Sequence, residues 1–227
     1  MAKHGKKYRS IKEKVEAKVY ELAGAVEFLK ANPTAKFDET AELAFRLGLD
    51  PKKSDQTVRG MVSLPHGSGK SVRVLVFATG TAADRAKEAG ADVVGYEELV
   101  QKVAGGWTDF DVAIATTEAM KEVRKLGKVL GPRGLMPSPK SNTVTEDTAT
   151  AVRQFKAGRV EFRMDKNGNV QVPFGKMSFD PQKLVENAEA VIAAVRAAKP
   201  PAAKGVFLRR CTVSSTMGVG LRVNVRD

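Results

Sequence analysis

The sequence predicts an α+β discontinuous domain, a two-layer arrangement of an antiparallel sheet with helices, interrupted by an inserted α/β three-layer Rossmann-like domain. Apolar and polar residues alternate near both ends of the chain, as they do in half-buried strands. Residues 72–78 instead form a nearly continuous apolar run, which is typical of a parallel strand buried on both faces. Short strands then alternate with helices, and this order favours a parallel sheet covered by helices.

Two short loops mark where the pattern changes. Pro65 to Gly69 is rich in turn residues, and Ala157-Gly158 directly precedes the return of the alternating pattern. A domain inserted through two connections can move as a body, so both loops are hinge candidates. The predicted division is a discontinuous domain of residues 1–67 plus 159–227, an inserted α/β domain of residues 68–158, and hinges near 65–70 and 156–159.

The N-terminal segment is predicted to combine one helix with two strands. Ile11 to Lys30 carries apolar residues at helical spacing, and Asn32-Pro33 closes it, which predicts a single amphipathic helix. Residues 37–47 alternate, with Phe37 on the apolar side, and predict a half-buried strand. Residues 57–64 predict a second strand.

The inserted segment is predicted to alternate strands with helices after its first apolar strand. Its loop at 127–140 is rich in Gly and Pro and is predicted to be stiff without regular structure. The predicted helices are 82–89, 97–103, 118–125 and 145–156, and the predicted strands are 91–94 and 111–115.

The third segment begins with a predicted hairpin. Residues 159–164 form one strand, Asn167-Gly168 supplies the turn, and residues 170–174 form the partner strand. Asp180-Pro181 then starts a helix at its N-cap and first position, and this helix runs to about Ala198.

The stretch from Val213 to Gly220 has the composition of a contact loop. Three consecutive hydroxyl residues are followed by Met217 and by two glycines that let the backbone approach another surface. Strands at 205–213 and 221–225 flank it, so the hydroxyl groups are predicted to lie at a turn.

The charge distribution favours a polyanionic partner for the two ends of the chain. The formal net charge is +12 and the isoelectric point is about 9.8. Residues 1–67 and 159–227 together carry 25 Lys and Arg against 15 Asp and Glu, whereas residues 68–158 carry 13 against 11. The basic excess is therefore assigned to the discontinuous domain.

Several classes of protein are excluded by composition. No apolar run is long enough to span a bilayer, and the basic N-terminus lacks the apolar segment of a signal peptide. One cysteine and two histidines are too few for an internal disulfide or a structural zinc site. We therefore expect a cytoplasmic protein with no membrane contact, no metal and no cofactor.

Catalytic motifs are weak. Gly67 to Ser71 resembles a phosphate-binding loop, but the pattern requires glycine where Leu64 stands, and it should open a helix rather than a strand. His4 lies in a basic tail, His66 in a hinge candidate and Cys211 in an apolar strand. No carboxylate pair stands out, so we expect no catalytic residues.

Basic residues surround the hydroxyl-rich turn in the final third of the chain. Lysine and arginine supply affinity for phosphates, while neutral hydroxyl groups and backbone can recognise ribose and base edges, and this combination favours RNA. An N-terminal basic arm at 3–9 adds to the charge. The basic residues concerned are Lys166, Lys176, Lys204, Arg209, Arg210, Arg222 and Arg226.

Five segments, in order, make the chain resemble the L-one family of bacterial large-subunit ribosomal proteins over nearly its whole length. They are Ala35 to Thr40, Val58 to Gly67, Gly127 to Pro137, Lys156 to Arg163, and Ser215 to Gly218.

The resemblance implies that the protein is a monomer when free and sits on the mobile stalk of the large subunit beside the tRNA exit site. It implies binding to large-subunit ribosomal RNA, help in the release of deacylated tRNA from the exit site, and repression of its own operon through the messenger RNA. The family's RNA contact falls here on 37–40 and 216–218. The residues and the resemblance together predict these RNA contacts: Lys36, Phe37, Asp38, Glu39, Thr40, Asp165, Lys166, Arg210, Ser215, Thr216, Met217 and Gly218.

Two other functions compete with this hypothesis. A nucleotide-binding enzyme would use the inserted α/β domain, and the missing glycine at Leu64 argues against it. A general RNA chaperone would bind stalk RNA and random duplex equally at raised salt.

Overall fold

The computed structural model describes residues 5–225, apart from the side chains of Ser54 and Lys140. It contains helices together with antiparallel and parallel sheets, so the predicted mixture of α and β structure is confirmed. The α-helices are α1 (Lys6–Glu13), α2 (Leu22–Ala31), α3 (Gly80–Glu88), α4 (Glu97–Ala104), α5 (Met120–Val123), α6 (Gly127–Leu130), α7 (Thr148–Lys156) and α8 (Pro181–Ala197). The strands are β1 (Thr40–Leu47), β2 (Arg59–Ser63), β3 (Val74–Phe77), β4 (Val93–Gly95), β5 (Val112–Ala115), β6 (Arg159–Arg163), β7 (Asn169–Lys176), β8 (Leu208–Ser215) and β9 (Leu221–Val223).

Contacts group the chain into two compact units. The discontinuous unit contains the residues up to Gly69 and those from Val160 onward, and the inserted unit is Lys70–Arg159. That the two units behave as separate domains joined by hinges stays a prediction.

Among the described residues of the discontinuous unit, four antiparallel strands form its main sheet in the order β7-β1-β8-β9. Alternate side chains, among them Leu43, Phe45 and Val213, are buried in the core. Helices α2 and α8 pack on this face and contribute Leu29 and Val191. Burial of these large apolar side chains stabilises the sheet and sets its register, because a shift by one residue would expose them.

The opposite face of this sheet carries the other set of alternating residues, and we call it the open face. Its side chains are half-buried or exposed and mostly polar, which is the usual pattern for an antiparallel sheet with one covered face. They are Thr40, Glu42, Ala44 and Arg46 on β1, Gln171 and Pro173 on β7, Arg210, Thr212 and Ser214 on β8, and Arg222 on β9.

Asn187 on α8 is a fully buried polar residue with a structural role. Its side-chain oxygen accepts the N–H of His66 at 3.0 Å. Its nitrogen donates to the carbonyls of Gly67 at 3.0 Å and Phe174 at 2.8 Å. The chain leaving β2 is thereby fixed to α8 and β7, and the buried amide is satisfied.

The inserted unit contains the parallel sheet that the sequence predicts, in the order β4-β3-β5. Leu75 and Phe77 of β3 lie in one apolar cluster with residues of α4 and α5. Val74 and Val76 are also fully buried on the other face, where α3 and α7 contact the sheet. Helices therefore cover both faces of this sheet, which explains why its central strand is apolar throughout.

The single helix predicted for residues 11–30 is wrong, because the chain breaks between α1 and α2. Tyr20 in the break donates its N–H to Arg222 at 2.8 Å and accepts from the N–H of Asn224 at 3.2 Å. It thus forms a bridge beside Val223, and tertiary pairing overrides the helical periodicity.

The hairpin predicted for 159–164 with 170–174 is also wrong. The two strands meet only at an isolated bridge between Met164 and Val170, after which β6 pairs with β2 and β7 pairs with β1. The turn at Asp165 does reverse the chain, but β6 before it and β7 after it belong to different sheets.

Smaller differences concern element boundaries. The strand predicted from residue 37 begins at Thr40, and Phe37 is 59% exposed rather than buried. The loop predicted at 127–140 begins with α6, and Ser214 and Ser215 end β8 instead of lying in the turn.

Candidate nucleic-acid interface

The start of β1 and the turn after β8 lie side by side, although they are 176 residues apart in sequence. The N–H of Thr40 donates to Oγ1 of Thr216 at 2.9 Å, and that hydroxyl donates to the carbonyl of Thr40 at 3.3 Å. The N–H of Gly218 closes the turn on the carbonyl of Ser215 at 3.0 Å. A side chain at Gly218 would collide with Oγ of Ser215. We call residues 36–40 and 215–218 together the turn-strand surface.

Glu39 is the centre of this surface and is only 3% exposed. Its Oε1 accepts the N–H groups of Ala35 at 2.6 Å and Thr34 at 3.1 Å, while Oε2 accepts the N–H of Met217 at 3.2 Å. Burial by itself raises the pKa of Glu39, but the hydrogen bonds from Ser215 and from these backbone groups outweigh it, so the net pKa is lowered. The ionised carboxylate therefore joins three segments of the chain.

A second set of contacts fixes the neighbouring residues to the end of β7. Nζ of Lys176 donates to Oγ1 of Thr40 at 2.9 Å. The carboxylate of Asp38 accepts the N–H of Ser178 at 3.0 Å and its hydroxyl at 2.9 Å. The polar groups of Asp38 and Thr40 are thus held in one orientation before any ligand binds.

Two large apolar side chains project from this ordered base. Phe37 is 59% exposed and Met217 is 56% exposed. A cavity of about 220 Å³ lies beside Phe37, and its wall includes Lys30, Asp38 and Ser178. A flat exposed ring beside a cavity lined by both apolar and polar groups is suited to stack an unpaired base.

The structure separates the predicted contacts into two groups. Lys36, exposed, belongs to the turn-strand surface, as do the residues at 37–40 and 215–218. Asp165, Lys166 and Arg210 lie at the other end of the sheet, because Arg46, at the far end of β1, pairs with Asn169 and with Arg210. Six residues of extended strand separate that end from Thr40 by about 20 Å.

Asp165 is engaged in the local turn. Its Oδ1 accepts the N–H groups of Asn167 and Asn169, each at 2.8 Å, and these bonds help to lower its pKa. Its role is to close the turn that presents Lys166.

Sequence reasoning missed Ser178 and Arg46. Ser178 follows a strand without any motif, and only the fold brings it to Asp38. Arg46 alternates correctly in its strand, but its position opposite Arg210 depends on strand register, which no single sequence pattern reveals.

Two groups considered as catalytic candidates, Cys211 and the glycine-rich loop at Lys70, lie in environments that do not favour catalysis. Burial raises the pKa of the Cys211 thiol to about 12, so it is not a nucleophile at neutral pH. Lys70 of the glycine-rich loop pairs with Asp111 at 2.5 Å, and strand β3 follows the loop instead of a helix. Within residues 5–225 no three His, Cys, Asp or Glu side chains form a group that could hold a metal. The same part of the chain has no helix long and apolar enough to cross a membrane.

Within residues 5–225 the geometry is that of a binding surface, an ordered base with projecting apolar side chains next to an open sheet face. The sequence then identifies its family. The model of the ribosomal protein L1p/L10e family matches residues 29–219, and the chain belongs to that family.

Curated relatives match over their full length. The chain is 53% identical over 228 residues to the large ribosomal subunit protein uL1 of a Chlamydia trachomatis serovar L2b strain, which covers 100% of this chain and 98% of that protein. It is 50% identical to the protein of the same name from Protochlamydia amoebophila, with coverage of 100% and 97%. The family resemblance seen in the sequence is thus confirmed.

Membership of this family makes the chain a ribosomal protein with a structural role in translation, and not an enzyme. The hypothesis of a nucleotide-binding enzyme is therefore excluded. Bacterial ribosomes work in the cytoplasm, which confirms the expected location.

Proposed function

We propose that this chain is a protein of the large ribosomal subunit that binds large-subunit ribosomal RNA at the mobile stalk beside the tRNA exit site. The turn-strand surface makes the specific contact, and basic residues around it provide salt-sensitive affinity. The observation that carries the proposal is the buried Glu39 network, which ties the backbone of Met217 to the start of β1, next to a cavity that Phe37 and Glu39 help to line. A surface ordered before binding loses little conformational entropy when RNA docks.

Glu39 has a positioning role in this proposal. Its carboxylate is buried and bonded to groups of the protein, so it orients the contact residues and does not itself meet RNA. Phe37, Thr216, Met217 and Gly218 face the ligand, and Lys36 supplies charge at the edge.

The proposed division of labour rests on charge for the discontinuous unit and on the family resemblance for the inserted unit. The discontinuous unit carries the RNA surface, while the nearly neutral inserted unit lies nearer to departing tRNA and helps its release. In this proposal the inserted unit moves about hinges at the connections near 65–70 and 156–159.

Repression of the protein's own operon is a second proposed function of the same surface. A messenger segment that folds like the ribosomal site would present the same unpaired bases and phosphates to Phe37 and Met217. The two RNAs would then compete for one protein, so free protein would repress only when ribosomal RNA is saturated.

The test is the double variant Thr216→Val with Met217→Asp. It removes the hydroxyl bonded to Thr40 and places a carboxylate where RNA would lie. We expect affinity for the stalk RNA to fall about 100-fold, equivalent to about 2.8 kcal/mol. Filter binding measures it, with random duplex RNA as competitor at raised salt to separate specific binding from a general chaperone.

The matched control is Ala193→Asp. Ala193 is an exposed residue of α8, which packs on the covered face of the sheet, so the control adds the same carboxylate away from the open face. The control should bind normally. Unchanged affinity in a folded double variant would show that the surface has been placed wrongly, and equal loss in the control would show a general charge effect. Competition by the operon messenger in the same assay tests the repressor function.

A further inference from the structure

Three arginines lie together on the open face, at the end of the sheet away from the turn-strand surface. Arg46 of β1 pairs directly opposite Arg210 of β8, and Arg222 of β9 pairs with Thr212, two residues further along β8. All three are exposed, whereas their strand neighbours Phe45, Cys211 and Val223 are buried in the core. We call Arg46, Arg210 and Arg222 the arginine patch.

The charges of this patch are not neutralised within the described residues. None of the ion pairs there includes Arg46, Arg210 or Arg222. The acid of β1 on the same face, Glu42, precedes Arg46 by four residues, or about 13 Å of extended strand. Like charges placed directly opposite each other in a sheet are destabilising, so the arrangement carries a cost that an anionic ligand would remove.

The inserted unit shows the contrast. There Lys70 and Arg73 bond Asp111, and Lys156 lies 3.3 Å from Asp92. These three basic groups have acidic partners in the fold, whereas the exposed arginines of the patch have no ion-pair partner among residues 5–225.

The patch is continuous with the turn-strand surface across the open face. Between Thr40 and Arg46 the central strand presents Glu42 and the small Ala44, and β8 presents Ser214 and Thr212 opposite them. The short side chains of Ala44, Thr212 and Ser214 leave room for an extended polyanion to lie on the sheet beside Glu42. The distance of about 20 Å between the two ends corresponds to several nucleotides.

We infer that the arginine patch is a second, phosphate-binding contact for the RNA held at the turn-strand surface, so that the RNA backbone crosses the open face of the sheet. The occupant is RNA because the positive patch complements phosphates and because the same face leads to the proposed base-stacking residues. Arginine also suits this role, since its planar group bonds phosphate oxygens in pairs. The inference rests on the proposed RNA-binding function, adds Arg46 to its contacts and assigns Arg210 and Arg222 to one site with it.

The experiment compares two triple variants of the full chain. Arg46→Gln with Arg210→Gln and Arg222→Gln removes the patch. Lys183→Gln with Arg196→Gln and Lys199→Gln removes the same charge from α8 and the residues just after it, behind the covered face of the sheet. Filter binding to the stalk RNA is measured from about 50 to 200 mM salt, a range in which phosphate contacts have a large effect on affinity.

Each lost phosphate contact lowers the slope of log affinity against log salt by about 0.7 to 0.9. We expect the patch variant to lose about two to three units of slope while it still prefers stalk RNA over random duplex. The α8 variant should keep the wild-type slope. Circular dichroism and thermal unfolding verify that both variants fold.

Equal slopes in the two triple variants would overturn the inference while leaving the proposed function intact. Absence of any preference for stalk RNA in the wild type would overturn the proposed function, and the inference with it. Loss of the preference itself in the patch variant would also contradict the inference, because it would make the patch part of the specific site.

Discussion

The two ends of strand β1 differ in how they treat polar groups. At Thr40 the surface is nearly neutral, and its hydroxyl and carboxylate groups bond to the protein itself. At Arg46 the surface is positive, and Arg210 faces it across the strand pair. The Thr40 end is held in a fixed shape by internal hydrogen bonds, while the arginines of the Arg46 end have no ion-pair partner among the described residues. The difference teaches that fit and electrostatic attraction can be built at separate places on one sheet.

This separation has a physical reason. A specific contact needs groups held within a fraction of an ångström, and hydrogen bonds of the kind that Glu39 makes provide that order. Attraction to phosphates acts over about a Debye length and tolerates mobile side chains. The two ends should therefore respond differently to mutation, pH and salt.

The largest effect is expected at Glu39. Replacement by Gln removes the charge and leaves at least one of its buried donors, such as the N–H of Met217, without an acceptor. We expect the free energy of unfolding in urea to fall by about 2 to 3 kcal/mol. The control is Glu42→Gln on the same strand, half-buried on the open face, which should cost less than about 0.5 kcal/mol. Similar losses in both variants would contradict the central role of Glu39.

The pH dependence of that difference has a definite sign. Because the pKa of Glu39 is lowered in the folded state, its contribution is fully present above the unfolded value of about 4.3 and is lost as pH falls through the folded pKa. The gap in stability between wild type and Glu39→Gln should be constant from about pH 7 to pH 5 and shrink below it. A gap that widens in acid would show that the carboxylate is not ionised in the fold.

An intermediate effect is expected at Phe37. Removal of its exposed ring by Phe37→Ala should weaken binding to stalk RNA about tenfold, within the range for one stacked base. The salt slope should not change, since no charge is lost. Val206→Ala, which truncates an exposed apolar residue away from the surface, should bind like wild type. A changed salt slope with Phe37→Ala would contradict the assignment of phosphate contacts to the Arg46 end of β1 alone.

The smallest effect is expected at the arginine patch without RNA. Arg210→Gln relieves repulsion with Arg46 and should stabilise the free protein by about 0.3 kcal/mol at low salt. Arg46→Gln should give a similar gain, and the double variant should gain less than the sum of both, because the repulsion is removed once. Thermal unfolding at low and high salt measures this, and the gain should vanish at high salt. A loss of stability would show that the arginines have partners in the free protein.

Much of the fold could be predicted because local signals agreed with tertiary structure. Asp180-Pro181 marked the start of α8, and the apolar run at 72–78 marked the buried strand β3. The break before α2 could not be predicted, since it depends on Tyr20 pairing with residues more than 200 positions later. The hairpin after β6 failed for the same reason, because a turn does not decide which sheet its strands enter.

The candidate site followed a similar rule. Residues 37–40 and 215–218 were found through their resemblance to a family and through the hydroxyl-rich turn, and the structure places them side by side. Glu39 was predicted as an RNA contact. In the structure its carboxylate is buried and accepts backbone N–H groups of Thr34 and Ala35, and the sequence alone does not reveal that burial. Arg46 gave no signal because the register that sets it opposite Arg210 is a property of two distant strands.

The sequence separation of Thr40 and Thr216 also determines when, during synthesis of the chain, the turn-strand surface can first form. Both halves of the turn-strand surface exist only after 176 further residues have been added to Thr40. At typical synthesis rates this takes about 10 to 35 seconds, and the last residues must also leave the ribosome that makes them. A nascent or truncated chain carries Phe37 but cannot assemble the Glu39 network with Ser215 and Met217. The proposed RNA binding is therefore restricted to chains synthesised at least as far as Gly218.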